Sequence, residues 1–142
     1  MTQLTPYLTF DGNCREAMQF YERVLGGKLL VVMTNGESPI ADQIAPGNED
    51  RVMHAALEFD GGQIFAGDSM VNAGMPFDGM KGFSLTLSYD QVAGAERVFH
   101  ALGEGGKVIM PLGETFWAQI FGMVTDRYGT PWIINGARKN FA

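Results

Sequence analysis

The sequence predicts an α+β protein built from two tandem βαβββ modules, whose strands form a curved, barrel-like mixed sheet with the helices outside. Three observations lead there. Glycine fills 19 of the 142 positions, near twice the usual share of about 7%, which calls for many tight turns and therefore many short strands. The order of segments repeats: Phe10 and Tyr89 each stand just before an Asp and a helical pattern, and Lys28 and Lys107 each follow a Gly-Gly pair, both at an offset of 79 residues. The strand-like runs alternate apolar and polar residues at period two, as half-buried strands do.

The elements follow in order. Tyr7 to Phe10 is a short strand stopped by Asp11-Gly12. Asn13 caps a helix, with Glu16 three residues on as its capping-box partner. Ala17, Phe20, Tyr21, Val24 and Leu25 give that helix one apolar face, and Gly26-Gly27 ends it. Lys28 to Thr34 is a β-rich run. Residues 35–51, with Gly36, Pro39, Pro46 and Gly47, read as a long loop, a length that marks functional or mobile segments in compact domains. Val52–Phe59 and Gln63–Asp68 form a hairpin across Gly61-Gly62.

In the second half, Phe83 to Tyr89 is a strand, and Asp90 caps a helix carrying Ala95, Val98, Phe99 and Leu102. Gly103 to Gly106 end that helix, Lys107 to Met110 is a strand, and Trp117–Thr125 with Pro131–Asn135 form the last hairpin. Neither half has enough helix to cover a sheet alone. The two are therefore expected to share one core as a single domain over 1–142, with module 1 at about 4–68, a Gly- and Met-rich linker at about 69–82 and module 2 at about 83–137.

Charge narrows the partners. With 16 acidic against 10 basic residues the net charge is −6. No basic stripe exists to neutralise phosphates, so nucleic acid is excluded as a partner, and an anionic membrane surface is disfavoured. No apolar stretch approaches the ~20 residues of a membrane helix. The opening Met-Thr-Gln-Leu-Thr-Pro lacks the basic-then-apolar order of a signal peptide. Cys14 stands alone and cannot form an internal disulfide. A cytoplasmic protein with no membrane partner is the expectation.

Alternation also assigns faces. Phe83, Leu85, Leu87 and Tyr89 oppose Ser84, Thr86 and Ser88; Met53, Ala55, Leu57 and Phe59 oppose His54, Ala56 and Glu58. The apolar rows should pack under the helices, leaving the other rows to water or to a solvated hollow.

Six segments carry a family resemblance: Pro-Tyr-Leu-Thr-Phe-Asp-Gly-Asn (6–13), Glu-Ala-Met-Gln-Phe-Tyr (16–21), Val-Leu-Gly-Gly (24–27), Met-His-Ala (53–55), Phe-Trp (116–117) and Asp-Arg-Tyr-Gly-Thr-Pro-Trp (126–132). In this order and spacing the chain resembles the PhnB-like branch of the vicinal oxygen chelate superfamily, which includes glyoxalase I, fosfomycin- and bleomycin-resistance proteins and extradiol dioxygenases. The resemblance implies paired modules around a U-shaped cleft and, usually, a homodimer. Superfamily enzymes hold a divalent metal with His and Glu at four inward strand positions. Those positions fall here at Tyr7, at Phe65 or Ala66, at Ser84 and at Ile133. None is an imidazole or a carboxylate, and a one-residue slip reaches only Leu8, Phe83, Leu85, Trp132 or Ile134. The expectation is therefore no bound metal and no cofactor.

Other chemistry is sparser. His54 and Glu58 share a face, but ~13–14 Å of extended strand separates them, too far for one ion. His54 is the candidate general base, against the plainer reading of a partly buried histidine. His100 reads as a surface residue. Cys14 sits in a first helical turn, where the dipole favours a thiolate, although an ordinary small residue is the favoured reading. Trp117 and Phe121 share a strand face with Phe116 beside them, and Tyr7 and Phe65 can point the same way. With Ser84 they would line a pocket for a small organic molecule, unless they only fill the core. Met70, Met75 and Met80 offer an adaptable wall or plug gaps. Glu37, Asp42, Glu49 and Asp50 solvate the long loop or attract cations near a cleft mouth. The first reading is a homodimeric, metal-free binding protein for a small organic ligand. The alternative is a lyase, isomerase or transferase using His54 as base with Tyr7 or Ser84 as donors.

Overall fold

Short strands, each too narrow to bury its own apolar row, come together with one amphipathic helix in each half of the chain. The computed structural model describes residues 2–74 and 76–140 and divides into two units, up to Gly79 and from Met80. The first unit holds β1 (Tyr7–Phe10), α1 (Cys14–Leu25), β2 (Lys28–Thr34), β3 (Val52–Phe59) and β4 (Gly62–Asp68), in sheet order β1-β4-β3-β2. The second holds β5 (Leu85–Tyr89), α2 (Val92–Gly103), β6 (Lys107–Gly113), β7 (Ala118–Thr125) and β8 (Pro131–Arg138), in order β5-β8-β7-β6. In each, the first strand runs parallel to the last and the other pairings are antiparallel. The two βαβββ modules and the α+β class are as the sequence predicts.

The core of each unit is the helix-side row of its sheet. In the first unit Leu8, Phe10, Ala55, Leu57, Ile64 and Ala66 are buried, as are Ala17, Met18, Tyr21 and Val24 of α1. In the second, Val124, Trp132 and Ile134 are buried with Ala95, Val98, Phe99 and Leu102 of α2. Close approach of α2 explains Gly136: a Cβ there would stand 2.7 Å from Ala95 Cβ and 2.5 Å from Ile120 Cγ2. The buried Trp132 indole donates to Asp126 Oδ2 at 2.7 Å, and Asp126 Oδ1 accepts from the backbone of Tyr128 and Thr130. One carboxylate thus satisfies a core aromatic and shapes the β7–β8 turn.

Several local expectations need correction. Asn13 occupies the N-cap of α1 without a side-chain cap bond, so the capping box with Glu16 is not formed. Asp68, at the end of β4, does that work instead: its Oδ1 accepts from the backbone N–H of Gly12 at 2.8 Å and Cys14 at 3.0 Å. A carboxylate brought from 54 residues away outcompetes the local amide, since anionic acceptors make the stronger bonds to helix N-terminal donors. For α2, Gln91 rather than Asp90 holds the N-cap position, and its side chain makes no cap bond. Strand β5 starts at Leu85, so Phe83 and Ser84 precede it. Strand β6 continues to Gly113 through Pro111, which an edge strand tolerates because no ladder bond is needed on its outer side.

The 35–51 segment is tied at both ends. Asn48 is fully buried; its amide donates to the carbonyls of Ala45 and Val71 and accepts from Val71 N–H. The Asn35 side chain donates to Asn48 O at 2.9 Å, and Ala41–Gln43 forms a single 3-10 turn. Met75, singled out in the linker, lies outside the described residues.

Candidate functional site

With the helix-side rows buried, the alternate rows form an open face on each sheet. In the first unit the parallel register places Tyr7 opposite Phe65, and β3 places Ala56 opposite Phe65. Phe65 is therefore the open-face residue of β4, while Ala66 is fully buried on the helix side. His54, half-buried, stacks on Tyr7 with centroids 6.0 Å apart and meets Phe65 edge-on at 5.2 Å. The Tyr7 hydroxyl donates to Met53 O at 3.1 Å, crossing the sheet over Gly67. A Cβ at Gly67 would stand 2.8 Å from that hydroxyl, so only glycine leaves the crossing open. Burial, and secondarily the Cys14 thiol, push the Tyr7 phenol above its ordinary pKa, so it remains a hydrogen-bond donor at neutral pH. Sequence reasoning thus named three side chains, Tyr7, His54 and Phe65, that the fold brings into one cluster.

Glu58 lies farther along the same face, paired in register with Lys28 and 3.5 Å from the Gln63 amide. A surface depression of about 440 Å³ sits at this hairpin end, lined by Gln3, Leu4, Thr5, Glu58, Asp60 and Gln63 among others. It includes none of the aromatic candidates.

In the second unit the register sets Thr86 beside Ile133 and Ser88 beside Asn135, with Met123 and Phe121 opposite them on β7. Trp117 meets Phe121 edge-to-face at 5.1 Å and Phe116 at 4.7 Å. Its indole N–H donates to Asn135 Oδ1 at 3.3 Å, and Asn135 Nδ2 donates to Ser88 Oγ at 3.4 Å. The registers also refine the repeat. Tyr7 faces Phe65 and Thr86 faces Ile133, so Thr86 is the counterpart of Tyr7, and Ser84 lies one residue ahead of β5. The sequence reading placed Thr86 on the polar row with Ser84 and Ser88, but it did not select Asn135, which the register brings onto the same face. The signal for Asn135 was present: it is a polar residue two places beyond Ile133 in an otherwise apolar run, residues 131–137.

Among the described residues no group of three or more His, Cys, Asp or Glu is placed to hold a metal ion. The four positions at which the resemblance implies ligands hold a phenol, a phenyl, a hydroxyl and an aliphatic chain. Among the described residues, His54 is the imidazole on these faces, and it lies against two aromatic rings. These residues do not fit a divalent metal.

Cys14 takes the favoured reading of an ordinary small residue. It is fully buried, and burial first, then the Asp68 charge, push its thiol pKa up to about 12, with Arg15 opposing. Desolvation outweighs the helix dipole, whose donors Asp68 already occupies. His100 is exposed on α2 with its ring 5.8 Å from Phe99, as expected of a surface residue. Glu37 accepts from the Thr34 backbone and hydroxyl at 2.9 Å each, bonds that hold its carboxyl below the usual range. It closes the turn after β2.

A family described as 3-demethylubiquinone-9 3-methyltransferase has a sequence model that matches residues 2–135. The chain belongs to that family. The PhnB-like resemblance of the sequence motifs agrees with it, since a relative in the family is named a PhnB protein. The fold is that of a Frankia sp. EAN1pec domain described as glyoxylase/bleomycin resistance protein/dioxygenase, 17% identical with a TM-score of 0.65. Protein YjdN of Escherichia coli (strain K12) is 38% identical over 144 residues, spanning 96% of both chains. The crystal structure of protein PA1353 from Pseudomonas aeruginosa is 45% identical over 96% of this chain and 98% of its own, with a TM-score of 0.87. A Bacillus cereus PhnB protein, described as a putative 3-demethylubiquinone-9 3-methyltransferase, is 29% identical over 96% of this chain and 100% of its own, with a TM-score of 0.77. No helix among the described residues is long and apolar enough to cross a membrane.

Proposed function

We propose that this family member binds a small organic molecule on the open sheet faces, without a metal or other cofactor, and works as a cytoplasmic homodimer. One observation carries the reading: in both units the face away from the helix presents aromatic rings beside hydroxyl and amide groups. Tyr7, His54 and Phe65 supply it in the first unit, Trp117, Phe121, Asn135 and Ser88 in the second. Rings with a few placed polar groups are the usual lining of a small-molecule site. Ser84, one residue ahead of β5, adds a hydroxyl beside this face. Screening uncharged aromatic fragments against labelled protein by NMR tests this. Hits should perturb the Tyr7–His54–Phe65 or Ser88–Trp117–Asn135 signals, whereas shifts confined to α1 and α2 would refute it. Sedimentation at micromolar concentration should return the mass of two chains.

The family description favours a second reading, group transfer. His54 is then the general base that takes a proton from a ligand hydroxyl, oriented by the rings of Tyr7 and Phe65. Under that reading His54→Ala should lower turnover by about 10²-fold or more while ligand affinity changes little. An unchanged turnover number would eliminate His54 as the base.

A further inference from the structure

We propose that the open face of the second unit selects uncharged planar aromatic compounds bearing a carbonyl acceptor, with the Ser88 hydroxyl as the donor. This rests on the small-molecule reading above and names the ligand class.

The argument is one of hydrogen-bond direction. An indole N–H can only donate. Trp117 Nε1 lies 3.3 Å from the Asn135 side chain, so the atom facing it must be the amide oxygen. That orientation turns the Asn135 nitrogen toward Ser88 Oγ at 3.4 Å. An amide nitrogen also only donates, so the Ser88 oxygen accepts, and its own proton must point elsewhere. Ser88 is exposed on β5, beside Asn135 in the sheet register. The relay from tryptophan to amide to hydroxyl therefore ends on a donor presented to a ligand.

The surroundings define what that ligand is. Trp117 packs edge-to-face on both Phe116 and Phe121, giving an apolar corner that suits a flat ring. The rows Thr86–Ile133–Met123 and Ser88–Asn135–Phe121 contain no charged side chain. Glu114 and Lys139, whose backbone N–H bonds the Trp117 carbonyl, are paired with each other. A charged ligand would lose its hydration there with no counter-ion in return. A neutral ring with a carbonyl oxygen keeps its apolar contacts and fills the vacant donor.

The probes are 1-indanone, indane, which has the same frame without the oxygen, and 1-oxoindane-5-carboxylate, which adds a charge. Each is titrated into the full chain while the Trp117 indole and Asn135 amide signals are followed by NMR. Indanone should bind about 5-fold more tightly than indane, as one net hydrogen bond allows, and the carboxylate more weakly than indanone. Ser88→Ala should reduce indanone to the affinity of indane, and Ser88→Thr should restore the preference. Equal affinities for indanone and indane, with both moving the Trp117 signal, would overturn the acceptor selection while leaving ligand binding intact. No movement of Trp117 with any probe to millimolar concentration would overturn both.

Discussion

Asp68→Ala should lose about 3 kcal/mol of unfolding free energy, and more if the freed donors find no water. The carboxylate gathers three backbone donors from two elements: Gly12 and Cys14 at the start of α1, and Val52, which reaches Oδ2 at 2.8 Å, at the start of β3. Bonds to a charged acceptor contribute ~1.5–3 kcal/mol each, but three on one group are not additive, so a loss of about 3 kcal/mol, below their sum, is expected. Alanine leaves all three N–H groups without that acceptor. Asp68→Asn would retain one accepting oxygen, and its stability should fall between those of the parent and the alanine variant. Asn13→Ala is the control: Asn13 makes no side-chain cap bond, so its loss should stay within about 0.5 kcal/mol. Urea unfolding at a constant m-value measures all three. A loss below about 1 kcal/mol for Asp68→Ala would remove this carboxylate as the link between α1 and β3.

Cys14 should be nearly inert to thiol reagents in the folded protein. It is the single cysteine of the chain, so any thiol signal belongs to it. With its pKa pushed up to about 12 by burial and by Asp68, the thiolate at pH 8 falls at least about a thousandfold below that of a free thiol. Full burial blocks access as well. The same shift makes stability depend on alkaline pH. Because the folded-state pKa is raised, the folded state keeps its proton where the unfolded chain has lost it. Stability is full below the unfolded pKa of about 8.5 and declines as pH rises toward 12, by about 1.4 kcal/mol per unit from this group. Cys14→Ala should remove that slope although it costs packing. Reaction of folded protein with a disulfide reagent at a free-thiol rate, or equal alkaline slopes in the two proteins, would contradict it.

Much of this was legible in the chain because the determinants are local. Apolar spacing at Ala17, Phe20, Tyr21 and Val24 gave α1, and Gly26, at φ +69°, ended it in the left-handed conformation glycine favours. Period-two alternation put His54 on the face away from the helix, where its ring now stacks on Tyr7. What local reasoning missed depends on distant partners. Asp68 caps a helix 54 residues earlier, and no pattern near Asn13 announces it. Asn135 is held by Trp117, just before β7, and Ser88 on β5, both far from it in sequence. Cys14 is the ordinary small residue expected, but the extent to which the core and Asp68 raise its pKa was not visible from its helix position. The choice between Phe65 and Ala66 likewise awaited the register with β1 and β3.

Metal-free binding is tested most directly by elemental analysis of protein incubated with Zn, Ni, Mn and Fe salts and then desalted. The side chains at Tyr7, Phe65, Thr86 and Ile133 predict far less than one ion per chain. A tightly held, stoichiometric ion that His54→Ala abolishes would contradict it.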